Sequence, residues 1–152
     1  MVNGWKLYIS GIFENQLEKL TKEVEAIADK DPDHFYHHPK YKLLLAIQDN
    51  IYRKIPLNPN DVKYRLGSTL GKRHSHWRRV KKNKLPDRYR LFFQFRSDSK
   101  TIVYAWFNDE SVLRKEGAKT DVYTVFEAML KNGNPPTSWE ALIKHASLIK
   151  NP

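Results

Sequence analysis

The stretch RYRLFFQFRSDSKTIVYAWF, residues 88–107, contains two apolar runs separated by a short polar segment. In the first run, four hydrophobic residues share one face by alternating with mostly polar ones: Tyr89, Leu91, Phe93 and Phe95. This period of two predicts a half-buried strand at 88–96, to which Phe92 is the exception. The second run, 101–107, is apolar almost throughout and predicts a central strand covered on both faces.

The sequence before this stretch adds two strands and two helices. Residues 5–9 alternate between apolar and polar types, which predicts a first strand. Hydrophobic residues at steps of three and four predict helices at 12–30 and 41–55, and Pro56 ends the second. A strand at 76–82 is expected to pair with the strand at 88–96 through the turn sequence NKLPD.

The sequence after this stretch predicts short helices. Asn108 or Asp109 is a suitable N-cap for the first helix and Thr120 for the second. Thr137 and Glu140 form a capping box for a last helix that continues almost to the C-terminus. The predicted fold class is α+β, with a small antiparallel β-sheet (a meander), two N-terminal helices packed on it and short C-terminal helices.

The size of the chain predicts one domain spanning residues 1–152, with a mass of 18.0 kDa. No window approaches the roughly 20 apolar residues of a membrane span, and the N-terminus lacks the features of a secretory signal. We therefore expect a cytoplasmic protein without membrane contact. The absence of cysteine excludes disulfides, thiolate zinc sites and a cysteine nucleophile.

Positive charge is concentrated in one segment of the chain. Residues 71–96 contain ten basic residues and one acid, and so supply +9 of the net charge of +10. Like charge at this density opposes folding unless it faces a polyanionic partner. The segment therefore predicts a nucleic-acid site, although basic residues that protect an edge strand from aggregation would leave a similar pattern.

The pleat of the predicted hairpin brings part of this charge together. With the hydrophobic residues of strand 88–96 toward the core, Arg88 and Arg90 point to the opposite face. Arg79 and Lys81 on the partner strand stand beside them. Four such cations suit a phosphate, because guanidinium groups bind it bidentately and lysine adds a point charge.

A cationic patch of this kind also suits RNA cleavage. Attack of a 2′-hydroxyl on the adjacent phosphorus builds negative charge on the phosphoryl oxygens, which positioned arginine or lysine side chains stabilise. DNA lacks the attacking hydroxyl. This route requires no metal, so we expect no cofactor.

Four segments carry a resemblance to a known family: VNGWKLY (2–8), LGKRHSHWRRVK (70–81), DRYRLFFQF (87–95) and AWFNDESVLRKEGAKTDVYTVFEAMLKNGNPP (105–136). They resemble the YhaV-type toxins of bacterial toxin-antitoxin systems, in the RelE/ParE superfamily of small ribonuclease toxins. The resemblance implies a RelE-like fold and a toxin that cleaves mRNA, in many relatives in the ribosomal A site, and so blocks translation.

The resemblance also implies roles for individual residues. The Tyr-Arg-Leu strand motif of the superfamily makes Arg90 the residue that stabilises the phosphate. The alternating basic pair on the preceding strand falls on Arg79 and Lys81. The C-terminal tyrosine falls on Tyr123, and Lys119 occupies a position that is basic in the relatives.

The implied partners are mRNA, the ribosome and an antitoxin with an AbrB-like swapped-hairpin domain. Operator DNA would be contacted only through the complex with that antitoxin. Two departures from the shortest members, the longer hairpin turn NKLPD and the insertion NDESVLRKEGA, leave ribosome dependence open.

Several assignments keep an alternative. Trp77 stacks on a base or packs under the first helix, Tyr123 is catalytic or a core or rim tyrosine, and His74 with His76 offers another acid and base. Residues 34–38 hold three histidines without the ligands that would complete a metal site. The full set of predicted RNA contacts is Arg78, Lys82, Arg88, Lys119, His76 and Trp77.

The predicted function is a metal-independent endoribonuclease toxin. The same basic hairpin would also serve a non-catalytic nucleic-acid or ribosome-binding module, and members of the ParE branch poison gyrase instead. Neutralising Arg90 distinguishes these classes, because an enzyme loses cleavage whereas a binding module loses only affinity.

Overall fold

Five strands form one mixed sheet in the computed structural model, which describes residues 1–150. They are β1 (Lys6–Ile9), β2 (Arg78–Val80), β3 (Leu91–Arg96), β4 (Thr101–Phe107) and β5 (Ser147–Leu148). Their spatial order is β2-β3-β4-β1-β5. All seven residues of β4 are buried, which confirms the central strand predicted from its apolar sequence.

Helices cover both faces of the sheet. α1 (Gly11–Lys30) and α2 (Pro39–Asp49) cover one face, and α2 continues through a π-helical turn (Asn50–Lys54) into the short α3 (Ile55–Leu57). α4 (Val122–Lys131) and α5 (Trp139–Lys144) cover the other. No helix within residues 1–150 is long and apolar enough to cross a membrane.

The predicted α+β class is confirmed, and the arrangement is consistent with a small RelE-like fold. The pairing of the sheet differs from the predicted meander, because β1 runs parallel to β4 while the other neighbouring pairs are antiparallel. Between β1 and β4 the chain crosses one face of the sheet through α1 and α2. A long crossover of this kind permits parallel pairing, which a tight hairpin does not.

The first core lies between the sheet and the N-terminal helices. It contains Leu91 and Phe93 of β3 and Tyr104 of β4, packed against Phe13 of α1 and its neighbours. The Tyr104 hydroxyl donates a hydrogen bond to the Ile51 carbonyl oxygen at 2.7 Å. Burial raises the pKa of Tyr104, so it stays a neutral donor. These contacts confirm the inward face predicted for β3.

A second core covers the opposite face of the same strands. The ring of Phe126 on α4 stacks on Phe92, with centroids 4.1 Å apart, and on Trp106, at 5.4 Å. Trp77 meets Phe126 edge-on at 5.1 Å. Phe92 interrupts the alternation of β3 because it points into this second hydrophobic layer. The cationic surface expected on this face is therefore confined to the rim of the layer.

The basic hairpin is shorter than predicted. The expected strands at 76–82 and 88–96 are reduced to β2 and β3, and residues 81–90 form an irregular connection. Asn83, Lys84 and Arg88 have φ angles of 60°, 66° and 71°. This left-handed conformation interrupts a β-ladder. Arg88 and Arg90 therefore lie on a loop rather than on a strand.

The C-terminal part departs from the prediction in its helix ends. Turns rather than a helix follow Asn108 in the described chain. The N-cap of α4 is Asp121 instead of Thr120, and that of α5 is Ser138 instead of Thr137. The prediction of a long last helix is wrong, because the residues after α5 add β5 to the edge of the sheet beside β1.

We predict that the second core contributes strongly to stability. Phe126→Ala should lower the free energy of unfolding by about 3–5 kcal/mol, because it removes a buried ring from a stacked cluster. Urea unfolding measures this loss. Leu45→Ala on the exposed side of α2 is the control and should stay within about 0.5 kcal/mol of wild type. Equal effects of the two substitutions would contradict the second core.

Candidate functional site

Arg90 and Tyr123 are in direct contact at the rim of the second core. The Arg90 Nε donates a hydrogen bond to the Tyr123 hydroxyl oxygen at 3.1 Å, and its Nη1 donates to the Tyr89 carbonyl oxygen at 2.8 Å. Both side chains are largely buried, because Arg90 is 6% and Tyr123 7% exposed. Arg90 is thus on the predicted face, but α4 covers that face, so its guanidinium is held in place instead of extending freely into solvent.

Two further guanidinium groups surround the same phenol ring. The Arg79 Cζ lies 5.6 Å and the Arg114 Cζ 5.0 Å from the Tyr123 ring centroid. Arg79 reaches this position because it pairs with Phe92 across β2 and β3, and paired residues share a face. Cations at such distances are attracted to the negative face of an aromatic ring. Tyr123 therefore gathers three cations that come from separate segments.

Asp121 orders the Tyr123 side of this cluster. Its Oδ1 accepts hydrogen bonds from the Arg114 Nη1 at 2.8 Å and from the Lys115 N–H at 2.6 Å. Its Oδ2 caps α4 by accepting from the Tyr123 N–H at 3.1 Å. Burial by itself raises the pKa of the Asp121 carboxyl, but the hydrogen bonds from Arg114 and the two backbone groups outweigh burial and lower it. The carboxylate stays charged, and the three guanidinium groups around Tyr123 leave the cluster positive.

Asn108 connects the two loops that carry the cations. It is fully buried, and its Oδ1 accepts a hydrogen bond from the Arg90 N–H at 2.7 Å. Its Nδ2 donates to the carbonyl oxygens of Arg88, at 3.1 Å, and Val112, at 2.7 Å. The Arg114 N–H donates to the same Arg88 carbonyl oxygen at 2.9 Å. Asn108 is therefore a tether between loops, and its predicted role as a helix cap is wrong.

Several predicted residues lie outside this cluster. Lys81 follows the end of β2 and lines a hollow with Lys63, Tyr64 and other residues. Arg88 is exposed in its left-handed conformation. Lys82 and Lys119 are also exposed. Of the four cations expected to share a patch, the structure brings Arg79 and Arg90 together at Tyr123.

Arg78 points to the other face of β2. Its Cζ lies 5.4 Å from the centroid of the Phe95 ring, which packs against the first core. Its Nη1 donates to the carbonyl oxygens of Ser75, at 2.9 Å, and Trp77, at 3.2 Å. The adjacent residues Arg78 and Arg79 are thus on opposite sides of the sheet.

Trp77 is 0% exposed, so its predicted role in stacking on a base is wrong. It packs under α4 rather than under the first helix, and its Nε1 donates to the Thr137 hydroxyl at 3.1 Å. The His76 Nε2 donates to the Thr137 carbonyl oxygen at 2.7 Å. His74 is buried, and burial lowers its pKa; its Nδ1 lies 3.4 Å from the Thr137 hydroxyl. The histidines thus meet at Thr137, whereas the guanidinium groups meet at Tyr123.

The histidines near α2 have local roles. The His38 Nδ1 accepts a hydrogen bond from the Lys40 N–H at 3.1 Å and caps α2. The His34 Nδ1 lies 3.1 Å from an Asp31 carboxylate oxygen. Within residues 1–150, no group of three or more histidine, cysteine, aspartate or glutamate residues is arranged to hold a metal ion.

The sequence analysis missed the roles of Arg114 and Asp121. Arg114 is not among the predicted site residues, but it pairs with Asp121. A lone arginine in an irregular loop carries no periodic signal. Asp121 lies directly before the apolar run of α4, and aspartate is a favoured N-cap residue. A comparison of Asp121 with Thr120 as the N-cap would therefore have identified it from the sequence.

The fold and the cluster define a small basic α+β protein with an arginine-rich site suited to a phosphodiester group. The family model described as "Toxin with endonuclease activity, of toxin-antitoxin system" matches residues 7–147. The chain belongs to this family, the YhaV toxins. The predictions of a toxin, of nuclease activity and of an antitoxin partner are confirmed at this level.

Curated relatives agree over most of the chain. Toxin YhaV of Escherichia coli O6:H1 (strain CFT073) is 43% identical over 142 residues, which cover 93% of this chain and 91% of the relative. The ribonuclease toxin YhaV of Escherichia coli K12 is 42% identical over 144 residues, which cover 94% of this chain and 92% of the relative. No solved structure matches the chain at a significant level.

We predict that Asp121 makes stability depend on pH in the acid range. Because its folded-state pKa is lowered, its charge stabilises the folded protein above about pH 4, and this contribution is lost as the pH falls through the folded pKa. Asp121→Asn should therefore lower the free energy of unfolding by about 1–3 kcal/mol at pH 7. The difference from wild type should shrink at pH 3.

Urea unfolding at both pH values measures this difference. The control is Asp98→Asn, since Asp98 is exposed in the turn between β3 and β4. It should leave the stability near that of wild type at either pH. A deficit of Asp121→Asn that is equal at pH 7 and pH 3 would show that the charge of Asp121 is not the source of its contribution.

Proposed function

We propose that this protein is an endoribonuclease toxin that cleaves mRNA at the Arg90–Tyr123 contact and so inhibits translation. The observation that carries the proposal is the hydrogen bond between Arg90 Nε and the Tyr123 hydroxyl, with Arg79 and Arg114 beside the same ring. This arrangement combines a group able to transfer a proton with cations that stabilise phosphoryl charge.

RNA is the proposed substrate class for two reasons. One relative bears the name ribonuclease toxin, and the site offers cations and a phenol that suit attack by a neighbouring 2′-hydroxyl. In that reaction the 2′-oxygen forms a bond to phosphorus and loses its proton to solvent water, while the bond to the 5′-oxygen breaks and that oxygen gains a proton from Tyr123. The products are a 2′,3′-cyclic phosphate and a 5′-hydroxyl. These steps use side chains and water, and we propose that they need no metal ion.

The roles of the central residues follow from their contacts. Arg79, Arg90 and Arg114 bind the phosphate and stabilise the charge that develops on it. Tyr123 accepts a hydrogen bond from Arg90, which leaves its own proton available for the departing 5′-oxygen. Lys81 lies on the chain directly after β2, and we assign it as the cation that contacts the reacting nucleotide from that side.

The exposed basic residues around this centre are proposed to hold the flanking RNA. Arg88, Lys82 and Lys119 are solvent-exposed, so they reach a backbone phosphate without a change in the fold. His76 lies at Thr137 and would contact a more distant nucleotide. Phosphate contacts of this kind position a strand without reading its sequence.

The finer identity of the partners is also part of the proposal. We propose that the antitoxin is AbrB-like, that operator DNA is bound only through the toxin–antitoxin complex, and that the ribosome presents the mRNA. The whole chain, residues 1–152, would act as one toxin domain in the cytoplasm, where mRNA is translated. The family resemblance supports these assignments, and the shared sheet between the two cores supports a single domain.

The proposal predicts RNA cleavage in the presence of EDTA. Purified protein should cleave labelled RNA but not its all-DNA counterpart, and the products should carry 2′,3′-cyclic phosphate or 3′-phosphate ends. Arg90→Ala should lower the cleavage rate about 100-fold or more, the loss expected for a preorganised group that stabilises developing charge. Gel analysis of the products and of their ends measures both results.

Two controls accompany this experiment. Arg53→Ala removes an exposed arginine that pairs with Asp49, and it should retain full activity. Circular dichroism checks that Arg90→Ala is folded, since Arg90 is buried. Full cleavage by folded Arg90→Ala would remove Arg90 from the mechanism. If free RNA is not cut, adding translating ribosomes distinguishes a ribosome-dependent enzyme from a non-catalytic binding module or a gyrase poison.

The proposal also predicts a role for the Tyr123 hydroxyl in proton transfer. Tyr123→Phe should lower cleavage about 100-fold. The loss should be much smaller with RNA whose 5′-leaving oxygen is replaced by sulfur, because a thiolate departs without protonation. Arg90→Ala should not be rescued by this substrate. Tyr36→Phe, at an exposed tyrosine, is the matched control. Equal loss on both substrates would assign Tyr123 a purely structural role.

A further inference from the structure

We propose a second anion-binding subsite, formed by Arg65 and Arg78 on the face of β2 opposite to Arg79, that binds a backbone phosphate of the RNA flanking the cleaved nucleotide. This inference rests on the proposed function, because it takes single-stranded RNA as the ligand. It concerns how the strand is held and not how it is cut.

The backbone brings the two arginines together. Arg65 and Arg78 form an isolated antiparallel bridge at the outer edge of β2. Residues paired in this way project their side chains to the same face and lie close to each other. The Arg78 guanidinium packs over Phe95, whereas Arg79 lies over Tyr123. The pair is therefore on the first-core side of β2, and the Tyr123 cluster is on the other side.

The pair is electrostatically unsatisfied. Like charges directly opposite each other in a β-bridge are unfavourable, and none of the ion pairs formed within residues 1–150 includes Arg65 or Arg78. Burial lowers the pKa of Arg78, and the charge of Arg65 lowers it further. A phosphate beside the two guanidinium groups would supply the missing negative charge.

More cations continue along this face. Lys63 lies over the Tyr64 ring, with its Nζ 5.3 Å from the ring centroid. A hollow of about 220 Å³ beside Tyr64 is lined by Lys63, Lys81 and Lys82. Lys63 and Lys82 thus add exposed positive charge beside Tyr64, the neighbour of Arg65 in the chain. An RNA strand that crosses the sheet edge at β2 would meet cations on both faces of the sheet. The Tyr123 cluster on one face would bind the reacting phosphate, and the cations on the other face would bind the adjacent phosphates.

The salt dependence of RNA binding tests this subsite. The probe is a fluorescent ten-nucleotide 2′-O-methyl RNA, which lacks the attacking hydroxyl and so reports binding independently of cleavage. The logarithm of the affinity falls with the logarithm of the salt concentration in proportion to the phosphates neutralised, by about 0.7 per contact for a single strand. Arg65→Gln should lower the affinity about tenfold and reduce this slope by about 0.7.

Matched variants separate charge from structure. Arg65→Lys keeps the charge and should restore the slope. Lys144→Gln removes an exposed cation from α5 and should change neither affinity nor slope. Arg78→Lys should retain the slope but weaken binding, because lysine lacks the bidentate geometry of arginine. Circular dichroism confirms that each variant is folded.

The outcomes distinguish this inference from the proposed function. A wild-type slope in folded Arg65→Gln would overturn the subsite, even if the protein cleaves RNA as proposed. A reduced slope that Arg65→Lys restores would support the subsite, even if cleavage by the Tyr123 cluster failed its own test. No binding of the RNA by wild-type protein would overturn the subsite directly.

Discussion

Burial of the β3–β4 pair on both faces is the constraint on which the rest of the structure depends. β3 contributes Leu91 and Phe93 to one core and Phe92 to the other, and β4 is buried along its whole length. A strand pair covered on both sides presents polar groups only where a covering layer ends. Arg79 and Arg90 lie at such an end, beside the first turn of α4. The hydrophobic layers therefore determine where the cations are placed.

This position orients the cations before any ligand binds. Arg90 is held by the Tyr123 hydroxyl and the Tyr89 carbonyl oxygen, and Arg114 is held by Asp121. Groups that are already oriented in a partly dehydrated site need little reorganisation when charge develops on a phosphate. Asp121 offsets part of the local repulsion, and the remaining positive charge is available to an anion. The same contacts thus support both the folded loop and its proposed chemistry.

The edge strand β2 divides the charge of the basic segment between two surfaces. Arg79 joins a compact cluster on one face, while Arg78 with Arg65 begins an exposed basic surface on the other. Such concentrated charge is compatible with folding because the exposed cations stay hydrated and screened, and the buried ones contact aromatic rings or hydrogen-bond acceptors. Both arrangements suit a nuclease, since ordered cations act on the reacting phosphate and exposed ones attract the strand.

The sequence by itself determined the features that depend on neighbouring residues. These were the central strand β4, the inward face of β3, the helix α1 and the confinement of the excess charge to residues 71–96. Short motifs that resemble the family predicted Arg90 and Tyr123 as site residues, and the two side chains are in contact in the structure. Only the tertiary structure decided which cations meet at Tyr123, that Asn108 joins two loops and that Trp77 is covered by α4. The physical reason is that these contacts connect distant segments of the chain, and local periodicity carries no information about such contacts.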